Sequence, residues 1–336
     1  MSRTGIHAVA LAAGVSASTV SRVFNQPDSV AAETRVRVEA AARRMQYRPL
    51  GAGRNLRRQR AEVLGVVLPT LRNPVFAECL EGIAAAAAEA RYAIQLATTE
   101  YQPQREHAAV TALLPRVDGL VLVVSDPARS RALQAIRVAG LPYVLAYNRH
   151  ARHPCVCVDN EGAVAELVTA LFGQGHRRIA MLCGDLKASD RSRARHRGFL
   201  RGMAACGLAP GPLVEVPFDD DAIGALSVAF TRADRPSALV CSNDLLAMRA
   251  LRAAHLCGLR VPQDISITGF DGIALGAELV PSLATIAQPN RDIGAACIAL
   301  LAPAAAAGTP LAPGAGRLLP HLFRPGESLG GHFPST

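Results

Sequence analysis

Residues 9–25, Val9-Ala10-Leu11-Ala12-Ala13-Gly14-Val15-Ser16-Ala17-Ser18-Thr19-Val20-Ser21-Arg22-Val23-Phe24-Asn25, decide the fold of the N-terminal region. The stretch 6–13 is apolar on one face and stops at Gly14, a residue suited to a left-handed helix end. Ser16 can cap a second helix over 17–25, whose Val20 and Val23 are three apart and face inward. Asn25-Gln26-Pro27-Asp28 ends that helix with turn residues. A third helix is expected over about 32–45, burying Val38, Ala41 and Met45 and exposing arginines. Two short helices joined by Gly14-Val15-Ser16, with a third beneath them, form a helix-turn-helix pattern.

Charge is concentrated on the same region. Residues 1–60 hold eleven arginines and three acids (Asp28, Glu33 and Glu39), a net +8, whereas the whole chain carries +9, which leaves +1 for residues 61–336. A compact basic head on a nearly neutral body suggests a module that binds a polyanion; a merely solvated basic surface is the alternative. Lys187 is the only lysine, so the preference for arginine says little about chemistry.

Outward from the head, the 336 residues allow two or three domains, and a chain that is 50% apolar and 19% charged can bury a large core. The apolar runs 83–88 and 297–307 are alanine-rich or broken by Pro303 and fall short of the roughly 18–20 residues of a membrane span. The first residues turn polar too soon for a signal peptide. Eight cysteines show no CxxC pairing and no ligand cluster with histidine, as expected of scattered thiols in a reducing cytoplasm. A cytoplasmic protein without a membrane partner is expected.

After Arg48-Pro49, residues 50–60 contain two glycines and four arginines, too short for a domain and too basic for a core element. From 63 to 269 strand and helix signals alternate, with buried apolar strands, which implies parallel, doubly wound sheets. About 270 residues is large for one sheet, so two lobes with a ligand cleft at the strand ends are expected. The expected organisation is an all-α head (1–49), a hinge (50–60), a two-lobed α/β body (61–330) and a tail (331–336).

The head resembles the DNA-binding domain of the lactose-repressor (LacI/GalR) family of bacterial regulators, through Val9-Ala10, Ala13-Gly14-Val15-Ser16, Thr19-Val20-Ser21-Arg22-Val23, Asn25, Thr34-Arg35, Val38, Tyr47 and Pro49. The body carries the same resemblance in Leu64-Gly65-Val66, Asn73-Pro74-Val75-Phe76, Val117-Asp118-Gly119-Leu120, Val158-Asp159-Asn160, Gly175-His176-Arg177-Arg178, Asn243-Asp244, Val261-Pro262-Gln263-Asp264 and Gly269-Phe270-Asp271. It extends to about residue 329 and implies a body like a periplasmic sugar-binding protein.

A helix in the major groove needs short or polar side chains that reach base edges from its first turns. By spacing and by family position these are Ala17, Ser18 and Arg22, of which Arg22 can make a bidentate contact with guanine. Ser16, Thr19, Ser21 and Asn25 suit phosphate oxygens, although Ser16 also reads simply as a helix cap. Leu56, among Arg54, Arg57 and Arg58, reads as an apolar wedge for a kinked minor groove, or as a linker residue that only packs locally. The family places a leucine there in a hinge helix; Leu50 and Gly53 replace its usual asparagine and alanine.

For the body, the resemblance implies a small-molecule effector held by Arg193, Asn243 and Asp271 against Phe76, with Asn148 and Asp159 as further candidates. Asn243-Asp244 also reads as a strand-to-helix cap. Tyr147-Asn148-Arg149 departs from the commoner pattern, which points away from a plain sugar, and Arg191, Arg193 and Arg195 together favour an anionic ligand such as a sugar acid, unless they pair with nearby aspartates.

The expected function is a transcriptional repressor: a homodimer on a near-palindromic double-stranded DNA operator, controlled by the effector. A solute-binding protein without a DNA function is the alternative. No enzyme, cofactor or metal is expected. Gly173-Gln174-Gly175 ends a helix and precedes a strand, the reverse of a dinucleotide fingerprint; the nine histidines show no ligand spacing, and no nucleophile elbow or P-loop occurs. The C-terminal sequence shows no leucine heptads, so a dimer is expected rather than a tetramer.

Overall fold

A computed structural model describes residues 6–25, 29–45, 47, 60–218 and 222–331. The chain divides into two compact units, with the boundary between Glu62 and Val63.

The first unit is built on α1 (Ile6–Ala13), α2 (Ala17–Asn25) and α3 (Ala32–Arg44). Gly14 takes φ 64°, and the turn closes with Val15 N–H donating to the Ala10 carbonyl (3.0 Å), which satisfies a carbonyl that the end of α1 would otherwise leave free. Val9, Ala10, Ala13, Val20, Val23, Val38, Ala41 and Ala42 form its core. Ala42 takes the place expected for Met45, because α3 ends at Arg44 and Met45 only packs against the cluster's edge.

The second unit contains two six-stranded sheets. In lobe 1, β1 (Val63–Leu68), β2 (Ala93–Thr98), β3 (Gly119–Leu122), β4 (Tyr143–Ala146), β5 (Cys155–Cys157) and β11 (Gly316–Leu318) run in the order β2-β1-β3-β4-β5-β11, all parallel. In lobe 2, β6 (Ile179–Gly184), β7 (Leu213–Val216), β8 (Ala238–Cys241), β9 (Ser266–Asp271), β10 (Ala284–Ala287) and β12 (Leu322–Arg324) run β7-β6-β8-β9-β10-β12, with only β12 antiparallel. The central strands are buried along their whole length because helices cover both faces.

Lobe 1 carries α4 (Pro74–Glu89), α5 (Pro103–Leu113), α6 (Arg131–Ala139) and α11 (Asn290–Ala307). Lobe 2 carries α7 (Asn160–Gly173), α8 (Asp190–Ala205), α9 (Ile223–Phe230) and α10 (Asp244–Leu256). Strand and helix membership makes the chain cross between lobes three times, at 158–160, 288–290 and 319–321. Helices pack backbone to backbone at two glycine contacts: a Cβ on Gly294 of α11 would meet the Cys79 carbonyl of α4, and one on Gly198 of α8 would meet the Glu161 carbonyl of α7.

Several elements lie outside the expected alternation. Strands β5, β11 and β12 have three residues each, too few to show a period. Helix α11 continues through Pro303 despite the lost donor. Helix α8 begins at Asp190 because Ser189 caps it by accepting the Ser192 N–H at 3.3 Å. Among the described residues, no single helix is long and apolar enough to cross a membrane.

Candidate functional site

In the first unit, Ser16 Oγ accepts the Thr19 N–H at 3.1 Å and lies 2.7 Å from Ser18 Oγ and 2.9 Å from Thr19 Oγ1. Val20 and Val23 are buried, whereas Ser16, Ser18 and Arg22 are exposed and Ala17, Thr19 and Ser21 are half-buried. Ser18 and Arg22 are one turn apart, so they share a solvent face. That face presents a hydroxyl and a guanidinium, the donors needed at base edges and phosphates. The Asn25 side chain and Leu56 lie outside the described residues.

In the second unit, a cavity of about 30 Å³ sits between the lobes. Its lining comes from residues that follow β1 (Asn73, Phe76), β2 (Tyr101), β4 (Tyr147), β6 (Ser189, Arg191, Ser192, Arg195), β7 (Phe218), β8 (Ser242, Asn243) and β10 (Gln288), together with Asp271 at the end of β9. These are carboxyl ends of parallel strands, where α/β sheets hold ligands.

Its floor is a buried ionic contact. Arg195 Nη2 lies 3.2 Å from Asp271 Oδ1; Arg195 Nε donates to Asn160 Oδ1 at 2.8 Å, its Nη1 donates to the Ser242 carbonyl, and its guanidinium lies 3.7 Å above the Phe270 ring. Burial pushes the Asp271 carboxyl above its usual range, against the pull of Arg195, Asn73 and Gln288, while burial lowers Arg195 against the pull of Asp271. Gln288 Nε2 donates to Asp271 Oδ1 at 2.9 Å. Next to this pair, Ser242 Oγ and Gln288 Oε1 are buried with no hydrogen-bond partner among the described residues.

Backbone strain collects on the same lining. Tyr101 (φ 57°), Tyr147 (φ 65°) and Asp271 (φ 114°) all hold positive φ, which costs a side-chain-bearing residue energy and concentrates at ligand sites. Tyr147 is fixed by donating to the Val75 carbonyl (3.0 Å) and Asn290 Oδ1 (3.2 Å).

Of the six effector residues expected from sequence, Phe76, Asn243 and Asp271 line this cavity, and Asn243 also caps α10 by accepting the Leu246 N–H at 2.8 Å. The other three do not. Arg193 is two residues from Arg195 on the same helix and so points to a different face; it pairs with Asp126 at 3.1 Å and donates to the Leu186 carbonyl at 2.8 Å. Asn148 is consumed by the Val124 N–H (3.0 Å), the Val124 carbonyl (2.8 Å) and Asp190 Oδ1 (2.7 Å). Asp159 caps α7, pairs with Arg149 at 3.1 Å and, with Arg193, borders a separate groove of about 510 Å³.

The arginines that face the cavity are Arg191 and Arg195. Their i, i+4 spacing, continued by Phe199, was the sequence signal for that face. Tyr101, Phe218, Ser242 and Gln288 carried no comparable signal. Among the described residues, no group of three or more His, Cys, Asp or Glu could hold a metal ion.

Comparison with known proteins agrees with this geometry. Residues 5–49 match the model of bacterial regulatory proteins of the lacI family, and residues 168–329 match a periplasmic binding protein-like domain. The chain is 34% identical over 300 residues to the HTH-type transcriptional repressor CytR of Escherichia coli K12, covering 87% of each chain. It is 30% identical to catabolite control protein A of Priestia megaterium, covering 88% of this chain and 91% of that one. The structure of the lac repressor dimer bound to operator and the anti-inducer ONPF superposes with a TM-score of 0.82 at 26% identity, over 97% of this chain and 99% of that chain. Head, two-lobed body and sequence agree: the chain belongs to the lacI family of bacterial regulatory proteins.

Proposed function

We propose that this transcriptional regulator is a cytoplasmic, non-enzymatic repressor that binds a near-palindromic DNA operator as a homodimer and responds to a small molecule held between its two lobes. Residues 1–49 would read DNA through Ala17, Ser18 and Arg22, with Ser16, Thr19, Ser21 and Asn25 on phosphates. Residues 50–60 would form the hinge, with Leu56 as the minor-groove wedge. Residues 61–330 would bind effector and partner subunit, and 331–336 would be a tail. The effector set is Phe76, Arg191, Arg195, Ser242, Asn243, Asp271 and Gln288.

The observation that supports effector control is the pair of buried polar atoms, Ser242 Oγ and Gln288 Oε1, left without partners beside the Arg195–Asp271 contact. Buried polar groups are nearly always paired, and an unpaired one carries a desolvation cost that a ligand can remove. Direct bonds join the lobes near this cavity: Asn148 donates to Asp190, Asp190 N–H to the Ser125 carbonyl (2.9 Å), and Arg191 Nη1 to the Val124 carbonyl (3.0 Å). A cavity of about 30 Å³ has room for about one or two waters. A metabolite therefore selects a more open arrangement, and its leverage on DNA equals its differential affinity for the two arrangements.

Ser242→Ala tests this. Removing a hydroxyl that has no partner leaves folding unharmed or improves it by about 1 kcal/mol, keeps operator affinity, and weakens the response to effector. A variant with an unaltered dose–response in an operator-release assay removes this cavity from the account.

A further inference from the structure

Cys155, Val156 and Cys157 make up the whole of β5. Side chains alternate across a strand, so the two thiols share one face, while Val156 joins the core on the other together with Val158. Cys155 is half-buried at the edge of the core that α5 and α6 cover, and Cys157 is buried. A hydrogen bond joins the two thiols. Two of the eight cysteines therefore meet in space, where the sequence suggested only scattered thiols.

Their surroundings make the two sulfurs unequal. The hydrogen bond from Cys157 above all, with the His150 backbone N–H and the Arg149 guanidinium, holds the Cys155 thiol below the usual thiol range, against burial and the Asp190 charge. The same bond, reinforced by burial, holds the Cys157 thiol up. A thiolate that solvent reaches thus stands beside a neutral thiol that donates to it, the arrangement that makes a cysteine sensitive to oxidants.

We propose that Cys155 and Cys157 form a modification site for peroxides, in which Cys155 is the nucleophile, Cys157 resolves it, and the disulfide so formed within β5 shifts the lobe crossings beside it. The Cys155 thiolate attacks one peroxide oxygen; an S–O bond forms, the O–O bond breaks, and hydroxide leaves and takes a proton from solvent. Cys157 then attacks the sulfenic sulfur; an S–S bond forms, the S–O bond breaks, and the departing hydroxide leaves as water with the Cys157 proton. Two thiols and one peroxide become one disulfide and two waters.

The strand geometry makes this bond consequential. Residues two apart on a strand have Cα atoms about 6.6 Å apart, at the upper end of the disulfide range, and their Cβ atoms must close to about 3.8 Å. Strand β5 therefore puckers at Val156, whose carbonyl accepts the Tyr147 N–H at 2.8 Å. The Cys157 carbonyl accepts the Leu319 N–H at 2.8 Å, so the pucker reaches the crossing at 319–321 as well as the one at 158–160 that β5 feeds directly. A bond made against such strain is readily reduced, as a reversible site requires.

The test treats the reduced full-length protein with hydrogen peroxide, blocks the remaining thiols with N-ethylmaleimide and digests with trypsin. Cleavage after Arg152 and Arg177 releases 153–177, which contains these two cysteines and no other. This is the first cysteine peptide to lose its thiols; it carries no maleimide, weighs two hydrogens less than the dithiol, and is restored by dithiothreitol. In Cys157→Ala the sulfenic acid on Cys155 has no resolving partner and is captured by dimedone, whereas Cys155→Ser gives neither product. Operator affinity of the wild type changes by about fivefold or more on oxidation, and that of Cys155→Ser does not. Peptide 153–177 keeping both thiols while other cysteines react overturns the site, as does a Cys155 disulfide between two copies of the chain. An intrachain disulfide that leaves operator affinity unchanged overturns the link to the crossings. The peptide mass needs neither a variant nor DNA, so its outcome is separate from that of the regulator reading.

Discussion

Arg195 and Asp271 meet at 3.2 Å with side chains only 8% and 5% exposed, and Asp271 reaches that position from a backbone at φ 114°. A pair so deeply buried contributes little net stability, because each ion has lost its hydration, yet breaking it by removing one partner costs about 3–5 kcal/mol. Asp271→Ala is therefore expected to lose about that much in denaturant unfolding of the second unit, along with its effector response. The double variant Arg195→Met/Asp271→Leu should recover most of the stability and none of the response. Recovery of the response in the double variant would show that the pair is structural only.

Arg193→Ala provides the contrast on the same helix. Its guanidinium pairs with Asp126 and is about one-third exposed, outside the cavity. The expected outcome is an effector affinity within about twofold of wild type, because a partly exposed ion pair contributes about 1 kcal/mol or less to stability. A calorimetric loss as large as that of Arg195→Ala contradicts the placement of the cavity.

In the head, Arg22→Ala should reduce the operator-to-random affinity ratio by about 1–3 kcal/mol while weak nonspecific binding persists. Competition gel shifts measure both quantities at one salt concentration. Operator affinity of the wild type should fall steeply with salt, since head arginines displace counterions from phosphates; a log–log slope near zero contradicts the electrostatic account.

Asp244 gives a pH signature. Burial, reinforced by the neighbouring Asp271 charge, pushes its carboxyl up to about 7, although it accepts hydrogen bonds from Thr285 Oγ1 (2.6 Å) and the Ile273 N–H (2.8 Å). The folded state keeps a proton that the unfolded chain releases near pH 4. Stability from this group is thus present below about pH 4 and is lost as pH rises through about 7. Asp244→Asn should therefore gain in melting temperature relative to wild type between pH 5 and pH 8. A difference that stays constant across that range contradicts the assignment.

The helix-turn-helix was legible because Gly14, Ser16 and the Val20/Val23 spacing are local signals, and the structure places α1 and α2 at Ile6–Ala13 and Ala17–Asn25. The parallel sheets were legible from apolar runs such as 63–68. The interlobe cavity was legible only where a family motif marked it, as at Asn243 and Asp271. Arg193 and Arg195 are two apart on one helix, and which of them faces inward depends on how that helix packs, which local spacing does not encode. Tyr101 and Phe218 are more than one hundred residues apart and meet only across the two lobes, a relationship that no local pattern encodes.

The regulator account is tested most directly by selecting the full-length protein's preferred sites from a pool of random duplex DNA. The account predicts enrichment of a near-palindromic sequence whose half-sites are spaced by about one helical turn, roughly 10 base pairs, or a multiple of it. Recovery of sequences with no shared motif, at affinities equal to that of the starting pool, would contradict it.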